Sequence, residues 1–87
     1  MPTPELIARV RELQAELAET QPDAPHAQIR AELQQAIDAA LAEPEQAQRY
    51  TSLNDRLVLA YAKFELDHPK LAATMQATMN ALDAAGI

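Results

Sequence analysis

The chain reads as an all-α fold, short antiparallel helical hairpins forming a four-helix bundle, within one chain or across a dimer. Periodicity, punctuation and the position of a single glycine carry that expectation. Large apolar residues recur at helical steps of three and four. Prolines at 22, 25, 44 and 69 cut the periodic stretches into four segments, because proline cannot continue a helix interior. The one glycine, Gly86, falls just past the last segment, where a left-handed residue ends a helix cheaply. The expected organisation is a single helical domain over 1–87, with helices near 3–20, 24–42, 45–66 and 69–85.

The first helix starts at Thr3, with a threonine cap, Pro4 at the first helical position and Glu5 at the positive helix end. Leu6, Val10, Leu13 and Leu17 then form a narrow, coiled-coil-like seam flanked by Ile7. In the second helix Asp23 is the better cap over Ala24, and Ile29, Leu33, Ile37 and Leu41 form the stripe, widened by Ala36 and Ala40. The third places Tyr50, Leu53, Leu57, Ala60, Tyr61 and Phe64 on one face. Val58, Leu59 and Leu66 widen that face, which predicts either the most buried helix or one with an exposed patch. Its polar start, residues 46–52, is equally compatible with an irregular linker. At the His68-Pro69 corner the residue before proline leaves the helical region. Pro69 then opens the fourth helix with His68 at the cap position. Leu71, Met75, Met79 and Leu82 make its large stripe, and Ala73, Ala77 and Ala81 a small-residue row. Ile87 is expected to pack back on Leu82 in a Schellman end. Short connections make two antiparallel hairpins joined near Pro44.

An apolar fraction of 48% in 87 residues overstates the core, because 19 of those residues are alanine and only 23 are larger. So thin a core in so short a chain favours sharing apolar faces with a second copy. A homo-oligomer, with a dimer favoured, is therefore expected. Net charge is −6, with eight acids and three bases in residues 1–43 against five and four in the rest. This balance disfavours nucleic acid, which needs a basic patch, and anionic membrane surfaces. The sequence has no cysteine, so it offers no disulfide, zinc–thiolate site or thiol nucleophile. The opening residues lack the pattern of a secretory signal, and no apolar run approaches a membrane span. A cytoplasmic location is expected.

No catalytic residue, cofactor site or metal site is predicted. Glu65-Leu-Asp-His68 has Glu-x-x-His spacing, but a di-metal bundle needs that unit twice with further carboxylates. His68 reads as a cap at a turn, and His26 as an exposed residue of a first turn. The hydroxyls, Thr78 among them, read as caps, turns and helix surface. One glycine excludes a phosphate-cradling loop. Asn54 and Asn80 flank apolar stripes as solvated edge residues.

Arg56-Leu57 through Phe64-Glu65, then His68-Pro69-x-Leu71 and Ala81-Leu82 with Gly86-Ile87, resembles a family of short bacterial proteins, domain of unknown function 4404. Leu13-x-x-Glu16-Leu17 is similar to that family's opening helix. The resemblance implies a small helical protein of bacterial origin and transfers no catalytic residue. Function is therefore expected through association: a non-enzymatic, self-associating protein–protein interaction module with Tyr61, Phe64 and Leu66 as candidate contacts. The alternative is an acidic decoy in which Glu12, Glu16 and Glu19 dock on a basic, nucleic-acid-binding partner. Thr3, Asp23, His68, Pro69 and Gly86 are the expected caps and corner.

Overall fold

Thr3 begins the fold: its hydroxyl accepts a hydrogen bond from the Leu6 N–H at 3.1 Å, and Pro4 takes the first helical position. The computed structural model describes residues 3–21 and 24–87. Among these, α1 (Pro4–Glu19), a 3-10 turn (Ala24–His26), α2 (Ala27–Ala42), α3 (Ala47–Phe64) and α4 (Pro69–Ala84) follow in order. The fold is an all-α four-helix bundle.

Helix boundaries differ from expectation where prolines act. Asp23 lies outside the described residues. Pro25 supplies no N–H to an α-helical ladder, and residues 24–26 wind as the tighter 3-10 turn instead. The start of α2 thus shifts to Ala27, with His26 at the cap position and no side-chain capping bond. Before α3, the Gln46 N–H donates to the Glu43 carbonyl at 3.0 Å, closing a turn over Pro44, so the helix opens at Ala47. Residues 47–52 are helix, not linker. At the far end α3 stops at Phe64, and the His68 N–H returns to the Phe64 carbonyl at 2.8 Å. Pro69 then opens α4. His68 occupies the cap position there, but its side chain makes no capping bond. Its ring turns towards Phe64 instead.

The end of α4 closes by two reversed bonds. The Gly86 N–H reaches the Asp83 carbonyl and the Ile87 N–H the Leu82 carbonyl, each at 3.0 Å. This is Schellman geometry, and Gly86 has the positive φ of 78° it requires. Ile87 packs against the core. Gly86→Ala meets no steric obstacle, so its cost is the left-handed backbone alone, about 1 kcal/mol. Urea unfolding measures this directly; an unchanged midpoint shows that the terminus is not part of the cooperative unit.

The core takes one seam from each helix. Leu6, Val10, Leu13 and Leu17 come from α1; Leu33, Ile37 and Ala40 from α2; Tyr50, Leu53, Leu57, Ala60 and Phe64 from α3. On α4 the seam runs Leu71, Met75, Thr78, Leu82, at steps of four, three and four. The expected stripe passed through Met79, which is half-buried; Thr78 takes its place because it alone keeps the seam on one face. Its hydroxyl donates to the Thr74 carbonyl at 2.9 Å, which offsets the burial of a polar group. The small-residue row also moves: Ala72 is buried, whereas Ala73 is exposed and Ala77 and Ala81 are half-buried.

Packing follows a ring. The largest helix pairs are α2 with α3 and α1 with α4, α3 with α4 is intermediate, and α1 with α2 is the least extensive. The Pro44 turn therefore lies inside the closest hairpin and does not separate two hairpins. Tight closure over Pro44 places α3 directly on α2, while residues 20–26 make a longer connection from α1. Contacts such as Glu16–Lys70, at 3.7 Å, and Glu32–Arg56, at 3.4 Å, show neighbouring helices antiparallel. The radius of gyration is 11.8 Å, close to the ~12 Å of a compact chain of this length. The core closes within one chain, so burying the four seams needs no second copy.

Tyr50 anchors the Pro44 end. Its ring is buried and its hydroxyl donates to the Pro44 carbonyl at 2.9 Å. Burial raises its pKa above the usual 10.0. The unfolded chain loses that proton first, so stability is retained below about pH 10 and falls as pH rises from there towards the folded pKa. Tyr50→Phe is expected to remove that part of the alkaline decline, read from unfolding midpoints between about pH 8 and 11.

Candidate interaction surface

The candidate contacts separate once folded. Phe64 is a core residue and unavailable to a partner, because it continues the Leu53–Leu57–Ala60 seam. Tyr61 is half-buried against the core. Leu66, in the turn after α3, is 91% exposed, and Val58 and Leu59 join it at 57% and 59%. The apolar excess on α3 is thus both a buried face and an outer patch.

The outer patch has helical order. At 100° per residue, Asp55, Leu59 and Ala62 follow at steps of four and three along the side opposite Leu57, Ala60 and Phe64, and Leu66, exposed in the turn just beyond α3, stands four positions further on. Val58 flanks this second seam. Arg56, beside it, is drawn towards α2 by Glu32. Asp55, Lys63, Glu65 and Asp67 are exposed around the patch, with no ion pair to any described residue. The rim is therefore net acidic: three carboxylates against one ammonium.

The acidic residues of α1 are less free. Glu12 accepts from Arg9 at 3.1 Å. The Glu16 side chain is only 14% exposed and lies 3.7 Å from the Lys70 ammonium. Glu19 alone of the three is exposed without an ion pair among the described residues.

Two features were not legible beforehand. His26 and His68, far apart in sequence, both pack on Phe64, with ring centroids 5.1 and 5.5 Å from it and interplanar angles of 60° and 58°. The expected exposure of His26 gives way to half-burial, because the 3-10 turn swings its ring inward over the end of α3. Arg30 is the second: its Nη2 donates to the Leu17 carbonyl at 2.6 Å, in the last turn of α1. That carbonyl also accepts from the Thr20 N–H at 3.2 Å, and the guanidinium answers the partial negative charge of the helix end. Its Nη1 is buried with no hydrogen-bond partner among the described residues. Arg30 thereby joins the neighbouring helices of the ring that have the least direct packing. Only an arginine beside an apolar stripe hints at it in the sequence.

A groove of about 360 Å³ runs between the start of α1 and the end of α4. Ala77 and Ala81 line it, with Thr3, Glu5, Arg9 and Asn80 as its polar groups. Three of those groups are already engaged: Thr3 caps α1, Arg9 bonds Glu12, and Asn80 accepts from Gln76 at 3.0 Å. Glu5 is an exposed acid in the first turn of α1. Glu65 is exposed at the corner, and no cluster of three or more His, Cys, Asp or Glu among the described residues is placed to hold a metal ion. No helix among them is long and apolar enough to cross a membrane.

These features define a small all-helical bundle domain with a covered core and one apolar seam facing outward. The chain belongs to the family described as Domain of unknown function (DUF4404), whose model matches residues 6–87. The match takes in the middle of the chain as well as the corner and the terminus. No curated protein and no solved structure matches the chain.

Proposed function

We propose that the domain is a non-enzymatic protein–protein interaction module working through the outer seam of α3. One observation carries the reading. Val58, Leu59 and Leu66 are the large apolar side chains left exposed among the described residues, and they share one helix and its terminal turn. Single exposed leucines need no explanation, whereas a grouped patch marks a contact site. Self-association and capture of another protein would both use this seam, because the inner faces of the helices are covered. The acidic decoy reading has less support, since Glu12 and Glu16 already have cationic partners within the chain.

A benzophenone amino acid placed at position 59 tests the module, with the same group at the exposed Gln35 of α2 as control. Discrete cross-linked species are expected at 59 alone, and Leu66→Asp in the same chain is expected to abolish them. A species of twice the chain mass identifies self-association. Identical patterns at both positions, or none at either, overturn the proposal.

A further inference from the structure

We infer that the outer seam of α3 takes one amphipathic helix of a different protein, with lysine or arginine opposite Asp55 and apolar residues opposite Leu59, Ala62 and Leu66. This rests on the interaction reading above and names the partner's chemistry. Steps of four, three and four are the seam that a second helix packs against, knobs into holes. Ala62 at its centre lets the two backbones approach closely. A helix laid in the surface of a helix is an established mode of peptide recognition, read by anchors at such spacings.

Charge selects against a second copy. A parallel copy in register sets Asp55 against Asp55. An antiparallel copy covering all three apolar positions sets Asp55 on Leu66 and brings Arg56 towards Lys63. Shifting that pairing by one heptad either sets Asp55 on Leu59 or carries the overlap past the end of α3 at Phe64. All but the last of these arrangements juxtapose like charges or cover a carboxylate with leucine, both unfavourable, and the last gives up most of the helical overlap. Two chains of net charge −6 also repel as wholes. A basic helix avoids the clash at Asp55 and is attracted by the net charge. It meets Asp55, Glu65 and Asp67 with opposite charge and only Lys63 of the rim, Arg56 being drawn to Glu32, with like charge. Area points the same way. Three side chains and an alanine cover well under the ~800 Å² per partner of a stable interface, which suits a reversible contact and not an obligate dimer.

Two synthetic, fluorescein-labelled helical peptides test this, identical except for lysine or glutamate at both ends of a leucine seam. Fluorescence anisotropy against the full chain is expected to show the lysine peptide binding at least about tenfold more tightly. The preference is expected to be lost with Asp55→Lys, and binding of both peptides to be lost with Leu59→Asp, each variant first shown folded by circular dichroism. Equal binding of both peptides overturns the charge rule while leaving the seam as a docking site. Binding of neither, by a chain that is dimeric in light scattering and monomeric as Leu66→Asp, makes the second copy the occupant and overturns the inference alone. Binding of neither by a monomeric chain, with no cross-link at position 59, overturns both readings.

Discussion

Phe64→Ala is expected to lower the unfolding free energy by about 3–5 kcal/mol. The ring is 1% exposed and closes the α3 seam. It also touches the turn that opens α2, through His26, and the corner into α4, through His68. Truncation therefore leaves a void where three segments meet, and the two imidazoles, with polar ring edges, are poor fillers for it. A domain of this length has about 4–13 kcal/mol in total, so the loss is roughly a quarter or more. The corresponding fall in Tm is on the order of 20 °C. Urea and thermal unfolding measure it, with Phe64→Leu as the near-isosteric control at about 1 kcal/mol. A loss below about 1 kcal/mol for the alanine variant would mean that the cluster is not a lock.

At the opposite end of the bundle, Tyr50→Ala is expected to be comparably severe, about 3–5 kcal/mol. Here the ring fills the core beneath the Pro44 turn and the hydroxyl holds the turn's own carbonyl. Tyr50→Phe separates the two contributions. It keeps the ring and removes the hydrogen bond, for an expected loss of about 1 kcal/mol. If both variants lose equally, the bond to Pro44 is the whole effect and the ring is replaceable. A small alanine loss with an unchanged phenylalanine variant would instead show that α3 opens without disturbing the core.

The bundle itself was legible because its seams are made of residues with one environment to choose. Leu6, Val10, Leu13 and Leu17 can satisfy steps of four, three and four only by lying inward, and they do. Gly86 was legible for a similar reason, being the residue that tolerates positive φ without strain. Thr78 was not, since hydropathy ranks Met79 above it and only the geometry of the whole seam decides between neighbours. The helix pairing was also hidden: loop length says that α1 and α2 are consecutive, but not that α1 packs more extensively on α4. For the surface, the excess of apolar residues on α3 could be read, but not its division. Phe64 and Leu66 stand two positions apart and face opposite ways, and a list of apolar residues cannot separate them. Likewise Glu12, Glu16 and Glu19 look alike until Arg9 and Lys70 are in place.

The pairing of α1 with α4 sets an order of events during synthesis. Helix α1 leaves the ribosome ahead of the other three, yet the helix that covers it as fully as any, α4, is translated only after α2 and α3. Until then Leu6, Val10, Leu13 and Leu17 have only α2 to lean on, while α2 and α3 can close their hairpin as soon as both are free. A nascent chain halted before Pro69 therefore carries an unfinished apolar groove, the kind of surface that chaperones hold and that drives aggregation. Completion of α4 converts that groove into core, which makes α4 the clasp of the bundle.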